Sequence, residues 1–445
     1  MGTLIIAGQL ILSLSILIVL HECGHFFPAK LFGTRVEKFY LFFDPWFELF
    51  KFKKGETEYG IGWLPLGGYV KISGMIDESF DKEQMEQEPQ PWEFRSKPAW
   101  QRLIIMLGGV TVNFILGFII FAGMLYTWGE TFIPTANVTH GIYADSLGQV
   151  IGLQNGDKVL KVGDLTLDKF NPLTVKKEII VNNAPTITVN RGGSQKVLNV
   201  PSNFAQVLSS REDRDKAIYL PRLPFIVGQY TKDSPAKKAG IKLDDIIIAH
   251  NDTPTPYFSD FVEATKKATS HTVKVTVLRG KETKVIEVTT GKDNRIGVAR
   301  YGMPHFYESD TIKYSFLESI PAGVNKGWNT LMDQIKAFGQ MFAGKISAKD
   351  NVGSVFTIGK AFGDTWVWER FWNLTGVLSM ILAFMNLLPI PALDGGHVMF
   401  LLYEVISGRK PNDTVVEYAT LAGFILLVIL MVTVLGLDVW NNFIR

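Results

Sequence analysis

LIIAGQLILSLSILIVLHECGH, residues 4–25, is an uncharged apolar run, Leu4–Leu20, that leads without a break into His21-Glu22-Cys23-Gly24-His25. Positions four apart share a helix face, so His21 and His25 can reach one metal ion; this is the H-E-x-x-H spacing. Glu22 stands about 100° round the helix from His21 and so sits beside the metal, placed to take a proton from a water there. Cys23 points to another face and is not expected to be a ligand. Two histidines and a glutamate at the end of an apolar helix are costly unless they pair or bind something. The bland account is a buried polar cluster without an ion. A cleaved signal peptide fits poorly, because the run lacks a basic n-region and a small-x-small cleavage site.

Working outward, the 445 residues combine 47% apolar with 20% charged residues, which suggests apolar blocks alternating with soluble ones. A net charge of +2 leaves no footprint for nucleic acid, and one cysteine excludes an intrachain disulfide framework. Four segments have the length of a spanning helix: Leu4–Leu20, Leu103–Tyr126, Phe371–Leu393 and Tyr418–Leu437. The basic residues between the first two, among them Lys51, Lys53, Lys54, Arg95, Lys97 and Arg102, and Arg409 and Lys410 between the last two, place these loops in the cytoplasm. The N-terminus and the long segment 127–370 are then expected outside.

The third span is interrupted by NLLPIPALDGGH, residues 386–397. Irregular backbone at membrane depth is tolerated where it lines a cavity or is buried in protein. A catalytic zinc takes three protein ligands and keeps an open position, so the chain must supply one more. Asp394 is the expected third ligand, with His397 as its rival. Spans one and three run the same way, and both motifs lie at inner ends, hence at similar depth. Two histidines, a carboxylate and an open position suit zinc best.

Between spans two and three the chain repeats itself. Asp145-Ser146, Gly152, Asp157 and Asp164 recur as Asp233-Ser234, Gly240, Asp245 and Asp252, each offset by 88 residues. Strand-like runs follow the same repeat at Lys158–Val162 and Ile246–Ala249, with others at Thr186–Asn190 and Thr272–Leu278. Further on, Leu317, Ile320, Val324, Trp328, Leu331, Ile335, Phe338 and Phe342 form one face of an amphipathic helix. Either the membrane surface or core packing accounts for that stripe.

H-E-x-x-H in the first span, N-x-x-P-x-P-x-L-D-G in the third and a tandem β-rich repeat between them resemble a bacterial site-2 protease of the regulator of sigma-E protease type. The resemblance covers essentially the whole chain. It departs at Cys23, where an aromatic is common, and in GGVTVN, residues 108–113, which lacks a proline often seen there. The fold implied is a polytopic α-helical membrane protein with four transmembrane helices and two PDZ domains inserted between spans two and three. Its parts are 1–126, with a cytoplasmic-side β element at about 56–74, PDZ domains at 127–210 and 211–300, a juxtamembrane region at 301–370, and 371–445.

The resemblance implies an intramembrane zinc metalloprotease of the inner membrane, cutting near its cytoplasmic side. Its metal ligands would be His21, His25 and Asp394, with Glu22 catalytic and Asn386 and Pro389 supporting substrate or transition state. In YGIGWLPLGGYVKISG, residues 59–74, the strand-like Tyr69, Val70, Lys71 and Ile72 would receive an unwound substrate as an added strand; a plain surface hairpin is the alternative. The PDZ pair would admit only single-span substrates already trimmed by a first protease, such as anti-sigma factors or signal-peptide remnants, from the lipid bilayer. Two other classes compete: a non-catalytic scaffold capturing peptides through its PDZ domains, and a metal transporter. A scaffold needs neither Glu22 nor Asp394, and the spans hold too few other polar residues for a transport path.

Overall fold

The computed structural model describes residues 2–439 except 66, 76–87, 211, 214–215, 292–293 and 348–354, so Leu66 of the glycine-rich stretch lies outside the described residues. The chain divides into two compact units, one of residues 1–129, 313–335 and 352–445, the other of 130–312 and 336–351.

The first unit is built on α1 (Gly2–Leu31), α2 (Ala99–Trp128), the first part of α3 (Phe316–Phe342), α4 (Trp368–Leu387), α5 (Asp394–Ser407) and α6 (Asp413–Val439). Among the described residues, three helical stretches are long and apolar enough to cross a membrane: Gly2–Leu31, Ala99–Trp128 and Thr414–Val434. The expected third span is helical only to Leu387. Pro389 cannot donate to the helix and pushes the residue before it out of the helical region; Leu388 is extended. Leu17, Phe121, Phe371 and Met380 are fully buried where these helices meet. Polar side chains bind them across the apolar core. Ser13 Oγ and Thr375 Oγ1 are 2.9 Å apart, and Ser379 Oγ donates to the Asn113 carbonyl at 2.7 Å.

Apart from Leu331, which packs with Phe121 and Met380, the apolar stripe on α3 does not face this core. Its buried positions are Ser319, Gly323, Gly327 and Leu331, whereas Leu317 is 76% and Trp328 53% exposed. The small residues let α3 approach α2, since a Cβ on Gly323 would stand 2.4 Å from the Ala122 nitrogen. Core packing is therefore not what most of the stripe does.

A four-stranded sheet completes the unit: β1 (Val36–Leu41), β2 (Phe43–Lys54), β3 (Thr57–Leu64) and β4 (Tyr69–Ile72), in the order β2-β3-β1-β4. β4 runs antiparallel to β1, with Phe39 opposite Val70 and Tyr40 opposite Tyr69. It is an edge strand, whose second side has backbone groups unpaired within the sheet.

The second unit holds two β-rich cores, one running from Ile142 to Tyr219 and one from Phe225 to Ile296. The repeat seen in the sequence is a repeat of structure. Asp157 accepts two hydrogen bonds from Arg191 at 2.7 and 2.8 Å, and the same guanidinium reaches the Gly152 carbonyl. Asp245, Arg279 and Gly240 repeat this arrangement atom for atom. At the base of the unit, Glu130–Phe132 pairs antiparallel with Asp310–Ile312, and the Thr131 and Thr311 hydroxyls are 2.9 Å apart.

Candidate metal centre

α1 continues unbroken through His21 and His25 to Leu31, so both imidazoles leave the same helix face one turn apart. The third group arrives from the break after α4. Between Leu387 and Asp394 the backbone turns sharply, and Ala392 takes a left-handed φ of 97° that a side chain makes costly. A new helix then starts at Asp394 itself. The two glycines after it are required by crowding. A Cβ on Gly395 would lie 2.3 Å from the Leu388 carbonyl oxygen, and one on Gly396 would lie 2.5 Å from that of Ile390. On the far side, Gly423 of α6 meets the Pro391 carbonyl.

Three donor atoms converge. His21 Nε2 lies 3.3 Å from His25 Nε2, and Asp394 Oδ2 lies 3.3 and 3.5 Å from these two nitrogens. Asp394 Oδ2 is buried without a hydrogen-bond partner. His25 Nδ1 lies 2.9 Å from the Ile105 carbonyl. A carbonyl can only accept, so Nδ1 carries the proton and Nε2 presents a bare lone pair. The bare His25 Nε2 and the Asp394 Oδ2 carboxylate oxygen, 3.5 Å apart, repel one another unless a cation stands between them. Ligands about 2.0–2.1 Å from a tetrahedral zinc stand about 3.3–3.4 Å apart. The triangle of His21, His25 and Asp394 has these dimensions, and the donor set fits zinc.

The site opens into a cavity of about 800 Å³. Glu22, Asn386 and all four residues of β4, Tyr69, Val70, Lys71 and Ile72, line it together with the three donors. Asn386 Nδ2 is 3.3 Å from His21 Nε2. His397 also lines the cavity but is not one of the converging donors. Pro389 lies in the turn and is not among the lining residues. Tyr69 donates to Asp44 at 3.0 Å; burial, then this carboxylate partner, hold its hydroxyl well above the usual phenol range. A Cβ on Gly68 would stand 2.6 Å from Ile18 Cγ2 and 2.7 Å from the Tyr40 carbonyl oxygen, so this position also needs a glycine.

GGVTVN, marked in the sequence only by its missing proline and not expected to touch a ligand, lies on α2 against both histidines. A Cβ on Gly109 would stand 2.4 Å from His25 Nε2 and 2.6 Å from His21 Cε1, and Asn113 Nδ2 is 3.3 Å from His21 Nδ1. The signal was there in the paired glycines and the asparagine of GGVTVN, an unusual set for a membrane span.

A model of peptidase family M50 matches residues 9–430. The chain belongs to peptidase family M50. Among its relatives, a regulator of sigma E protease from Haemophilus influenzae is 28% identical over 459 residues, covering 98% of each chain. The regulator of sigma-E protease of Escherichia coli is 27% identical over 457 residues, again covering 98% of each. The likeness thus runs through both units, and the M50 match takes in both the histidine pair and Asp394.

Proposed function

We propose that this M50 peptidase is a zinc-dependent intramembrane endopeptidase that cuts trimmed single-span proteins within the bacterial inner membrane. The observation that carries the reading is the triangle of His21 Nε2, His25 Nε2 and Asp394 Oδ2, its edges 3.3–3.5 Å, on the wall of a cavity shared with an edge strand. Zinc bound there supplies a Lewis acid that lowers the pKa of water and polarises a carbonyl. Glu22 takes the proton from the attacking water and returns it to the leaving amine. Asn386, at the same wall, donates toward the scissile carbonyl as charge develops on its oxygen.

A helical substrate must unwind first, and its freed backbone groups cost several kcal/mol each in lipid unless something accepts them. The open side of β4 does so by pairing with the extended segment, which holds the scissile bond beside the metal. The two β-rich cores are PDZ domains on the outer side that exclude untrimmed substrates. The interrupted α4 completes a fourth span, and the N-terminus lies outside. Substrates are remnants left by a first protease, of the anti-sigma factor or signal-peptide kind.

The test is cleavage of a tagged single-span substrate by purified wild type and Glu22→Gln, with zinc measured in both. Cleavage by wild type alone, with zinc in both proteins, is expected. Cleavage by both would remove Glu22 from its role, and cleavage by neither across a panel of trimmed substrates would favour a peptide-capturing scaffold. Deleting 130–300 should allow untrimmed substrates to be cut; unchanged selectivity would overturn the filter.

A further inference from the structure

Ile105, Gly109 and Asn113 follow one another at four-residue spacing, so they lie along a single face of α2. That face lies against the two histidines. Ile105 offers its carbonyl to His25 Nδ1 at 2.9 Å, Gly109 leaves the space that the two rings fill, and Asn113 reaches His21 Nδ1 at 3.3 Å. Asn113 is 1% exposed, and its Oδ1 is buried with no hydrogen-bond partner. Its backbone is held independently, through the hydrogen bond from Ser379 to its carbonyl.

We infer that Asn113 is a positioning residue whose amide selects the metal-binding tautomer of His21. His21 Nε2 faces the other two donors, so metal binding requires its lone pair there and the proton on Nδ1. With the Asn113 amino group toward Nδ1, the amide donates, and it stabilises the tautomer whose Nε2 is protonated and cannot ligate. A half-turn about Cβ–Cγ exchanges the two ends of the amide. The orphaned Oδ1 then accepts from Nδ1–H, as the Ile105 carbonyl does for His25, and both rings present bare Nε2 atoms. Outer partners of this kind typically change metal affinity by about 10–100-fold when removed.

The inference rests on the zinc-centre reading, and one experiment separates the two. Zinc dissociation constants are measured by chelator competition on the full chain in detergent, for wild type, H21A, N113L and N113D. Leucine matches the volume without an acceptor; aspartate keeps the acceptor. The expected result is a loss of about 10-fold or more in N113L, with N113D within about threefold of wild type. N113L within threefold of wild type would overturn the inference, and so would N113D falling as far as N113L, since that marks a packing role. If N113L does not fold, N113A replaces it with the same criteria. Tight zinc binding by H21A would instead overturn the metal centre itself.

Discussion

Gly24 and Gly108 lie back to back where α1 crosses α2. A Cβ on Gly24 would stand 2.4 Å from the Gly108 carbonyl oxygen, and one on Gly108 would meet the Gly24 carbonyl. Neither neighbour is a side chain that could swing away. Gly24 sits inside the metal motif, so the crossing that brings the helices together also sets how deep the histidines sit against α2.

Gly24→Ala and Gly108→Ala should therefore separate the helices and disturb the site together. Overpacking typically costs about 1–3 kcal/mol, and backbone neighbours put these two at or above the upper end. Thermal unfolding in detergent together with zinc content is the measurement. Near-wild-type values for both would show that the crossing relaxes without reaching the metal.

Gly109→Ala tests the space at the metal separately. The added methyl is aimed at His25 Nε2 and His21 Cε1 rather than at backbone, so the helices can stay in register while the rings are pushed aside. Zinc affinity should fall by at least about 10-fold with a smaller change in melting temperature than for Gly24→Ala. Retained zinc affinity would mean that the rings have another place to go.

A proline at Val70 or Lys71 should impair cleavage by about 10-fold or more while leaving zinc bound. Proline removes a backbone donor from β4, and none of the three donor atoms comes from this strand. Cleavage of a single-span substrate and zinc stoichiometry are read on the same preparation. Undiminished cleavage would count against strand addition.

Arg279→Ala should destabilise the second β core, because Asp245 is left buried and without its main partner. Hydrogen exchange across Phe225–Ile296 in the full chain reads this locally. The same pair carries a pH dependence. Burial works to raise the Asp245 carboxyl, and the Arg279 hydrogen bonds, the Lys242 backbone N–H and the nearby positive charges outweigh it, holding the carboxyl below its usual value. Its stabilisation is complete above the unfolded pKa of about 3.9 and is lost as pH falls through the folded value. Protection in this core should be flat from neutral pH to about 5 and should fall only in stronger acid, and R279A should show little of that fall.

How much of this was legible in the sequence depended on where the partners lie along the chain. The histidine pair drew notice because both rings leave one helix, and Asp394 because an acidic residue in a broken apolar span needs a reason; the structure brings their donor atoms together. The repeat showed Asp157 and Asp245, and Arg191 and Arg279 share its offset of 88, yet nothing local says that each arginine reaches its aspartate. Each arginine comes 34 residues after its aspartate, on a strand reached only once the sheet is paired. GGVTVN stood out in the sequence, yet what Gly109 and Asn113 touch is set by a helix crossing, which no local pattern encodes. The α3 stripe had the right period, but periodicity names a face without saying what it faces. There the small residues, Gly323 and Gly327, mark the protein side.

The strand pair at the base of the second unit has a consequence for how such a chain could be assembled and altered. Thr131 and Thr311 stand directly opposite each other, so the stretch between them begins and ends side by side, one strand spacing apart, about 5 Å. A module with adjoining ends is a cassette. Any domain whose termini meet at that spacing can be spliced in without stretching this strand pair. The stretch between the two threonines is in this respect interchangeable hardware, free to be doubled, shortened or replaced without pulling its two ends apart.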